Sequence, residues 1–119
     1  MKYKLSDTEY RLMELIWEKE PLTTTELSKL CLQAFDWKKS TVYTMLKRMG
    51  EKEVLIVKDS VISSLIKKET ADRMESEALI EKSFGGSLPN FLAAFLQDRK
   101  ITKQEAERLQ QLIREAAND

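Results

Sequence analysis

The sequence predicts a mainly α-helical fold with one small β-hairpin, three helices leading into the hairpin and more following it. Three observations carry that reading. Capping boxes mark three helix starts, Ser6 with Glu9, Thr23 with Glu26 and Thr102 with Glu105. Between Val54 and Ile66, two β-rich runs flank the polar turn Lys58-Asp59-Ser60. Leu88, Phe91, Leu92, Phe95 and Leu96 then repeat at i, i+3, i+4, i+7 and i+8, the spacing of a helix face.

The first helix starts at Ser6, carries the stripe Leu12, Met13, Ile16 and Trp17, and should stop before Pro21. The second opens at Thr23, where Leu22 can staple onto Leu27, and lines its inner face with Leu27, Leu30, Cys31 and Ala34. After the break Asp36-Trp37-Lys38, a third helix runs to about Lys52. The short connection between the second and third makes a helix-turn-helix. Adding the hairpin makes a winged helix, so residues 1–66 form an N-terminal winged helix-turn-helix domain. The hairpin turn lacks the glycine that two-residue loops favour.

Residues 67–119 read as a second, helical domain. Ala71, Met74, Ala78, Leu79 and Phe84 form an imperfect stripe, Gly85-Gly86 stops that helix, and Ser87 with Pro89 opens the next. That next helix also carries Ala93 and Ala94, so it is apolar nearly all round and needs cover on more than one face. The last helix bears Ala106, Leu109, Ile113 and Ala116. So few residues cannot bury the Leu88–Leu96 helix among themselves. A second copy of the chain is the expected cover, through Met74, Leu88, Phe91, Leu92, Phe95, Leu96, Leu109 and Ile113; the alternative is folding back onto the N-terminal domain.

The third helix carries the chemistry. Val42, Met45, Leu46 and Met49 turn inward, leaving Ser40, Thr41, Tyr43, Thr44, Lys47 and Arg48 outward behind Lys38 and Lys39. No acid occurs from Lys38 to Met49. Hydroxyls, an aromatic ring and four cations suit a helix lying in the major groove of double-stranded DNA. Lys38, Lys39, Lys47 and Arg48 are the expected grip on phosphates. Thr41, Tyr43 and Thr44 are the expected contacts to base edges or sugars, although Thr41 could equally cap its own helix. Lys4 and Thr24 flank them. The plain alternative is a solvated helix face.

Composition limits the other classes. The 20 Lys and Arg balance the 20 Asp and Glu, so any grip on DNA must be local and strengthened by dimerisation. The balance is uneven: residues 1–68 hold 13 basic against 10 acidic side chains, and residues 69–119 hold 7 against 10. With no His and a single Cys on an apolar face, no nucleophile–base pair can be proposed and most zinc sites are removed, so no enzyme is expected. Glu75, Glu77 and Glu81 read as a solvated face rather than a metal site. Met1-Lys2-Tyr3-Lys4-Leu5 has no apolar run of a signal peptide and no stretch reaches membrane-spanning length, so the reading is cytoplasmic without membrane insertion.

With these motifs placed, the chain resembles, end to end, the penicillinase-repressor family of bacterial regulators (the BlaI/MecI type). The resemblance rests on Leu5-Ser6, Met13, Ile16-Trp17, Pro21-Leu22-Thr23, Glu26-Leu27 and Trp37, then Thr41-Val42-Tyr43-Thr44, Arg48 and Phe84-Gly85-Gly86-Ser87-Leu88. It implies a homodimeric winged-helix repressor on a dyad-symmetric operator of antibiotic-resistance genes of the β-lactamase type. It also implies release when a membrane sensor protease cuts the dimerisation region. Three departures stand out. The wing is shorter than the family's and lacks its Gly-Arg and Tyr elements. Gly50-Glu51-Lys52-Glu53 replaces a basic, glycine-terminated run. The family's Asn-Phe cleavage bond aligns with Ala94-Phe95, while Asn90-Phe91 sits one turn earlier, so whether and where this chain is cut stays open. The copper-responsive branch has a C-terminal cysteine cluster; this chain ends Ala116-Ala117-Asn118-Asp119, and no cofactor is expected.

Two other classes compete with this reading. One is a winged-helix regulator sensing a small ligand near Phe91 and Phe95. The other is a helical protein-interaction adaptor that does not bind DNA.

Overall fold

The computed structural model describes residues 4–117. Met1, Lys2 and Tyr3, on which part of the N-terminal reading rests, lie outside them, as do Asn118 and Asp119 of the cysteine-free end. The described residues form two compact units that divide between Ala78 and Leu79.

In the first unit the chain runs α1 (Asp7–Lys19), β1 (Leu22–Thr23), α2 (Thr24–Phe35), α3 (Lys39–Glu51), β2 (Leu55–Lys58) and β3 (Val61–Ser64). It then enters α4 (Lys68–Phe84). Both expected capping boxes are present: Ser6 accepts from the Glu9 N–H and Thr23 from the Glu26 N–H, and each glutamate returns the bond. Leu12, Met13 and Ile16 of α1, Leu27 and Cys31 of α2, and Val42, Met45, Leu46 and Met49 of α3 are buried together. Tyr10, Trp17, Leu30, Phe35 and Trp37 pack against that cluster from its edge. Burial pushes the Cys31 thiol up to about 11, so it stays protonated at neutral pH and packs as a small apolar group.

Ala34 departs from expectation. It is exposed, because it sits in the last turn of α2, where Asp36 turns the chain away at φ 58° and Phe35 takes the packing position. The hairpin is confirmed and gains a strand. Leu55 pairs with Ser64 and Lys58 with Val61, leaving Asp59 and Ser60 as a two-residue turn, both at positive φ (52° and 64°). A right-twisted hairpin demands such angles, and Asp tolerates them without glycine. Leu22 and Thr23, the lead-in to α2, add to the other edge of β3 opposite Ile62 and Val61, giving the antiparallel order β1-β3-β2. Ile62 and Leu55 thereby carry the sheet's inner face into the core.

The second unit holds the end of α4, then α5 (Leu88–Leu96) and α6 (Lys103–Ala117). Gly85 and Gly86 stop α4 at φ 57° and 82°, where a side chain would be strained. Ser87 accepts from the Asn90 N–H, and Thr102 exchanges bonds with Glu105. Phe84, Phe91 and Phe95 form a line of ring contacts. Yet no residue of α5 or α6 is buried. The described chain leaves uncovered the helix that its sequence requires to be covered.

Candidate nucleic-acid interface

Helix α3 presents its polar face as read from the sequence. Lys38, Lys39, Ser40, Thr41, Tyr43, Thr44, Lys47 and Arg48 are all exposed, while the four apolar positions between them are buried. The question over Thr41 resolves: the cap position is Lys38, three residues earlier, and no side chain caps the helix there. Thr41 is therefore free to face outward from the first turn.

The neighbours of α3 give this face relief. On one side lies a groove shared with the start of α1, lined by Ser6, Thr8, Ser40, Thr41, Thr44 and Arg48, with Met45 and the Lys52-paired carboxylate of Glu9 at its floor. On the other lies a groove shared with the sheet, lined by Thr24, Tyr43, Lys47, Gly50, Val57 and Ser60. Helix α3 is thus a ridge between two hydroxyl-rich channels, each with a cation on its wall. A helix of this diameter fills a major groove about 12 Å wide. A ridge with a channel on either side leaves room for the two sugar-phosphate strands that border the groove. The sequence reading did not place Thr8, Val57 or Ser60 at this site, because they lie off α3 and only the packing of α1 and the sheet against α3 brings them there.

Side chains on the ridge are partly fixed. The Thr44 hydroxyl donates to the Ser40 carbonyl at 2.9 Å, so its proton points inward and its outward lone pairs accept. The Lys39 ammonium sits over the Tyr43 ring, 5.5 Å from its centre. The Tyr43 phenol meets hydroxyls on the first turn of α2; Thr24 foremost, with Lys39's charge behind it, lowers its pKa below 10. Lys52, at the end of α3, is committed elsewhere. Its ammonium donates to the Lys4 carbonyl at 3.0 Å and to Glu9 at 2.7 Å. Burial alone would raise the Glu9 pKa, but Lys52 and the Ser6 N–H reverse this and hold it below the ordinary glutamate value.

The family profile described as penicillinase repressor matches residues 5–115. The chain belongs to the penicillinase repressor family. Among curated relatives, it is similar to the penicillinase repressor of Bacillus licheniformis, with 24% identity over 119 residues, 97% of this chain and 93% of that one. The methicillin resistance regulatory protein MecI of Staphylococcus aureus (strain N315) is 23% identical over 115 residues, covering 93% of this chain and 94% of its own. The penicillinase repressor of Staphylococcus aureus is 21% identical over 114 residues, covering 92% and 90%.

In this member of the penicillinase repressor family, the residues expected at a self-association surface lie on α4, α5 and α6. Leu88, Phe95 and Ile113 are about half exposed, and Met74, Phe91, Leu92, Leu96 and Leu109 are partly covered. Phe91, Leu92, Phe95, Leu96, Ile101 and Leu109 line an apolar groove between α5 and α6 with Arg108 at its edge. Ala94 and Phe95 are exposed within α5. No helix among the described residues is long and apolar enough to cross a membrane.

Proposed function

We propose that this chain is a transcriptional repressor that binds a dyad-symmetric operator as a homodimer. The observation that carries the proposal is the α3 ridge, acid-free from Lys38 to Met49, with a hydroxyl-lined channel on either side. Names of full-length relatives, a penicillinase repressor and a methicillin resistance regulator, make resistance genes of the β-lactamase type the first candidates for its targets. It would act in the cytoplasm, where its DNA is.

Lys38, Lys39, Lys47 and Arg48 would neutralise phosphates, and each contact releases counterions, so affinity falls steeply with salt. Thr44, with its proton turned inward, offers an acceptor and a methyl group. That combination suits the amino group of adenine or cytosine, or a thymine methyl. The wing sheet gives little charge to this grip: Lys58 is the cation of its two long strands, and Ile56, Val57 and Val61 are exposed around it.

A second copy would cover α5 and α6, doubling the contacts and placing two α3 helices about one DNA turn apart, roughly 34–36 Å, or a multiple of it. A membrane sensor protease that cut at Ala94-Phe95 would split α5 and release a monomer with one half-site to hold. The ligand-sensing alternative draws on the apolar α5–α6 groove, which a partner chain and a ligand cannot both fill.

The test is binding to the intergenic DNA upstream of the protein's own reading frame, titrated from low to physiological salt beside a scrambled duplex. Salt-dependent retention of the native fragment alone, at one dimer per site, is the expected result. Equal retention of both duplexes at every salt concentration would overturn the repressor reading and leave the adaptor.

A further inference from the structure

A third groove lies where α2 meets the start of α3, lined by Thr25, Ser28, Lys29, Leu32, Trp37 and Lys39. Of the six, only Lys39 belongs to the grip assigned above. Every polar side chain among them can donate a hydrogen bond, and none is acidic. Lys29 forms no ion pair among the described residues, and Glu26, one turn before it, is bonded to Thr23 at the helix cap. Trp37, its ring centre 4.4 Å from that of Phe35, and Leu32, 56% exposed, give the groove an apolar wall.

Ser28 sets this groove apart from an ordinary solvated face. A serine inside a helix can bond back to the carbonyl one turn earlier. The Ser28 hydroxyl oxygen is instead buried with no hydrogen-bond partner among the described residues. A buried donor left so is costly, and a ligand that accepts from it recovers that cost. The groove also continues a path already described. Along the sheet-side channel lie Lys47 and then Tyr43, whose phenol approaches Thr24, Thr25 and Ser28. Lys39 stands over the Tyr43 ring and also lines the α2 groove. A backbone strand laid along that channel therefore reaches the α2 groove just past Tyr43.

We propose that Thr25, Ser28 and Lys29, with Lys39, clamp one further DNA backbone phosphate, outside the base pairs that α3 reads. The proposal rests on the DNA-binding part of the repressor reading and adds α2 to the grip. A phosphodiester offers only acceptors, which matches a lining of donors. Thr25 and Ser28 would donate to its oxygens, Lys29 and Lys39 would neutralise it, and the adjoining sugar would lie on Trp37 and Leu32. Such a contact carries no sequence information. It fixes the register of the protein on the duplex and lengthens the footprint of each half-site.

The experiment uses full-length protein on its own upstream DNA and on a scrambled duplex at several salt concentrations, with phosphate-ethylation interference on the first. Wild type, Lys29→Gln, the conservative Lys29→Arg and Ser28→Ala are compared. Lys29→Gln is expected to weaken binding to both duplexes by the same factor and to lower the salt slope by about one. It should also erase an interference signal outside the base pairs that α3 contacts. Lys29→Arg keeps the slope and the signal. Ser28→Ala is expected to weaken binding about fivefold at an unchanged slope, since it removes a hydrogen bond and no charge. Lys29 is exposed, so its variants keep the test valid if Ser28→Ala disturbs the fold. An unchanged slope and interference map in Lys29→Gln would overturn the clamp and leave the α3 ridge standing. Saturable binding of inorganic phosphate without DNA, lost in Lys29→Gln while the slope on DNA stays put, would assign the groove to a free anion and overturn the clamp. Failure of the wild type to retain either duplex would overturn the DNA-binding reading, and the clamp with it, before any variant is made.

Discussion

Lys47 and Thr44 share one face of α3 and should fail in different ways. Lys47→Ala is expected to weaken binding about equally on specific and random DNA and to lower the salt slope by about one. Thr44→Ala is expected to cost ~1–3 kcal/mol of discrimination at one base position and little on random DNA. Gel-shift titrations on both duplexes at several salt concentrations separate the two; identical losses would cancel the assignment. The outward placement of both was legible in the sequence, because the buried partners of α3 recur at helical spacing and leave the rest exposed. The role of Lys52 was not. Read along the chain it is one more cation at a helix end, yet its charge is spent on Glu9, 43 positions away. Both bonds to Glu9 fall on Oε1, while Oε2 is buried without a hydrogen-bond partner, so the carboxylate depends on Lys52. Lys52→Met should cost about 1–3 kcal/mol of stability, measured by urea unfolding. Because folding lowers the Glu9 pKa from 4.5, its contribution is complete above that value and is lost as pH falls through the folded pKa. The acid limb of stability below about pH 4.5 should therefore be shallower in Glu9→Gln than in wild type.

Helix and hairpin boundaries show where local signals suffice. The boxes at Ser6, Thr23 and Thr102 lie where the sequence put them, since capping is settled within one turn of chain. Strand β1 escaped the same reading because two residues, Leu22 and Thr23, have no period; they become a strand only when β3 arrives to pair Leu22 with Ile62, 40 positions later. Thr41 was weighed as a cap because hydroxyls favour that position, but the helix begins earlier, at a lysine. At the end of α3, Glu53 holds a left-handed backbone at φ 63°, its N–H bonded to the Gly50 carbonyl and that of Val54 to Met49, the closing pattern of a helix that glycine normally completes.

At the scale of the whole molecule, the shift in charge and the all-round apolar helix are the sequence's grounds for expecting two lobes, and no residue of α5 is buried among the described residues. What no single sequence can encode legibly is the partner, because burial against a second copy looks the same, residue by residue, as burial within one. Phe95, 49% exposed here, is expected to become an anchor of the interface. Phe95→Ala should weaken dimerisation by about 2–4 kcal/mol; sedimentation at graded concentrations reads this, and an unshifted monomer–dimer balance would remove α5 from the interface. In the proposed dimer, apolar side chains covered by a second copy would make stability a matter of mass action. The winged unit carries its own core and should melt at the same temperature at any dilution. The unit of α5 and α6 should melt later as protein is added, so scarcity alone would disarm the proposed dimer: each halving of the cell's stock would remove more than half of the paired molecules, and a promoter held by them would open sooner than a count of chains suggests.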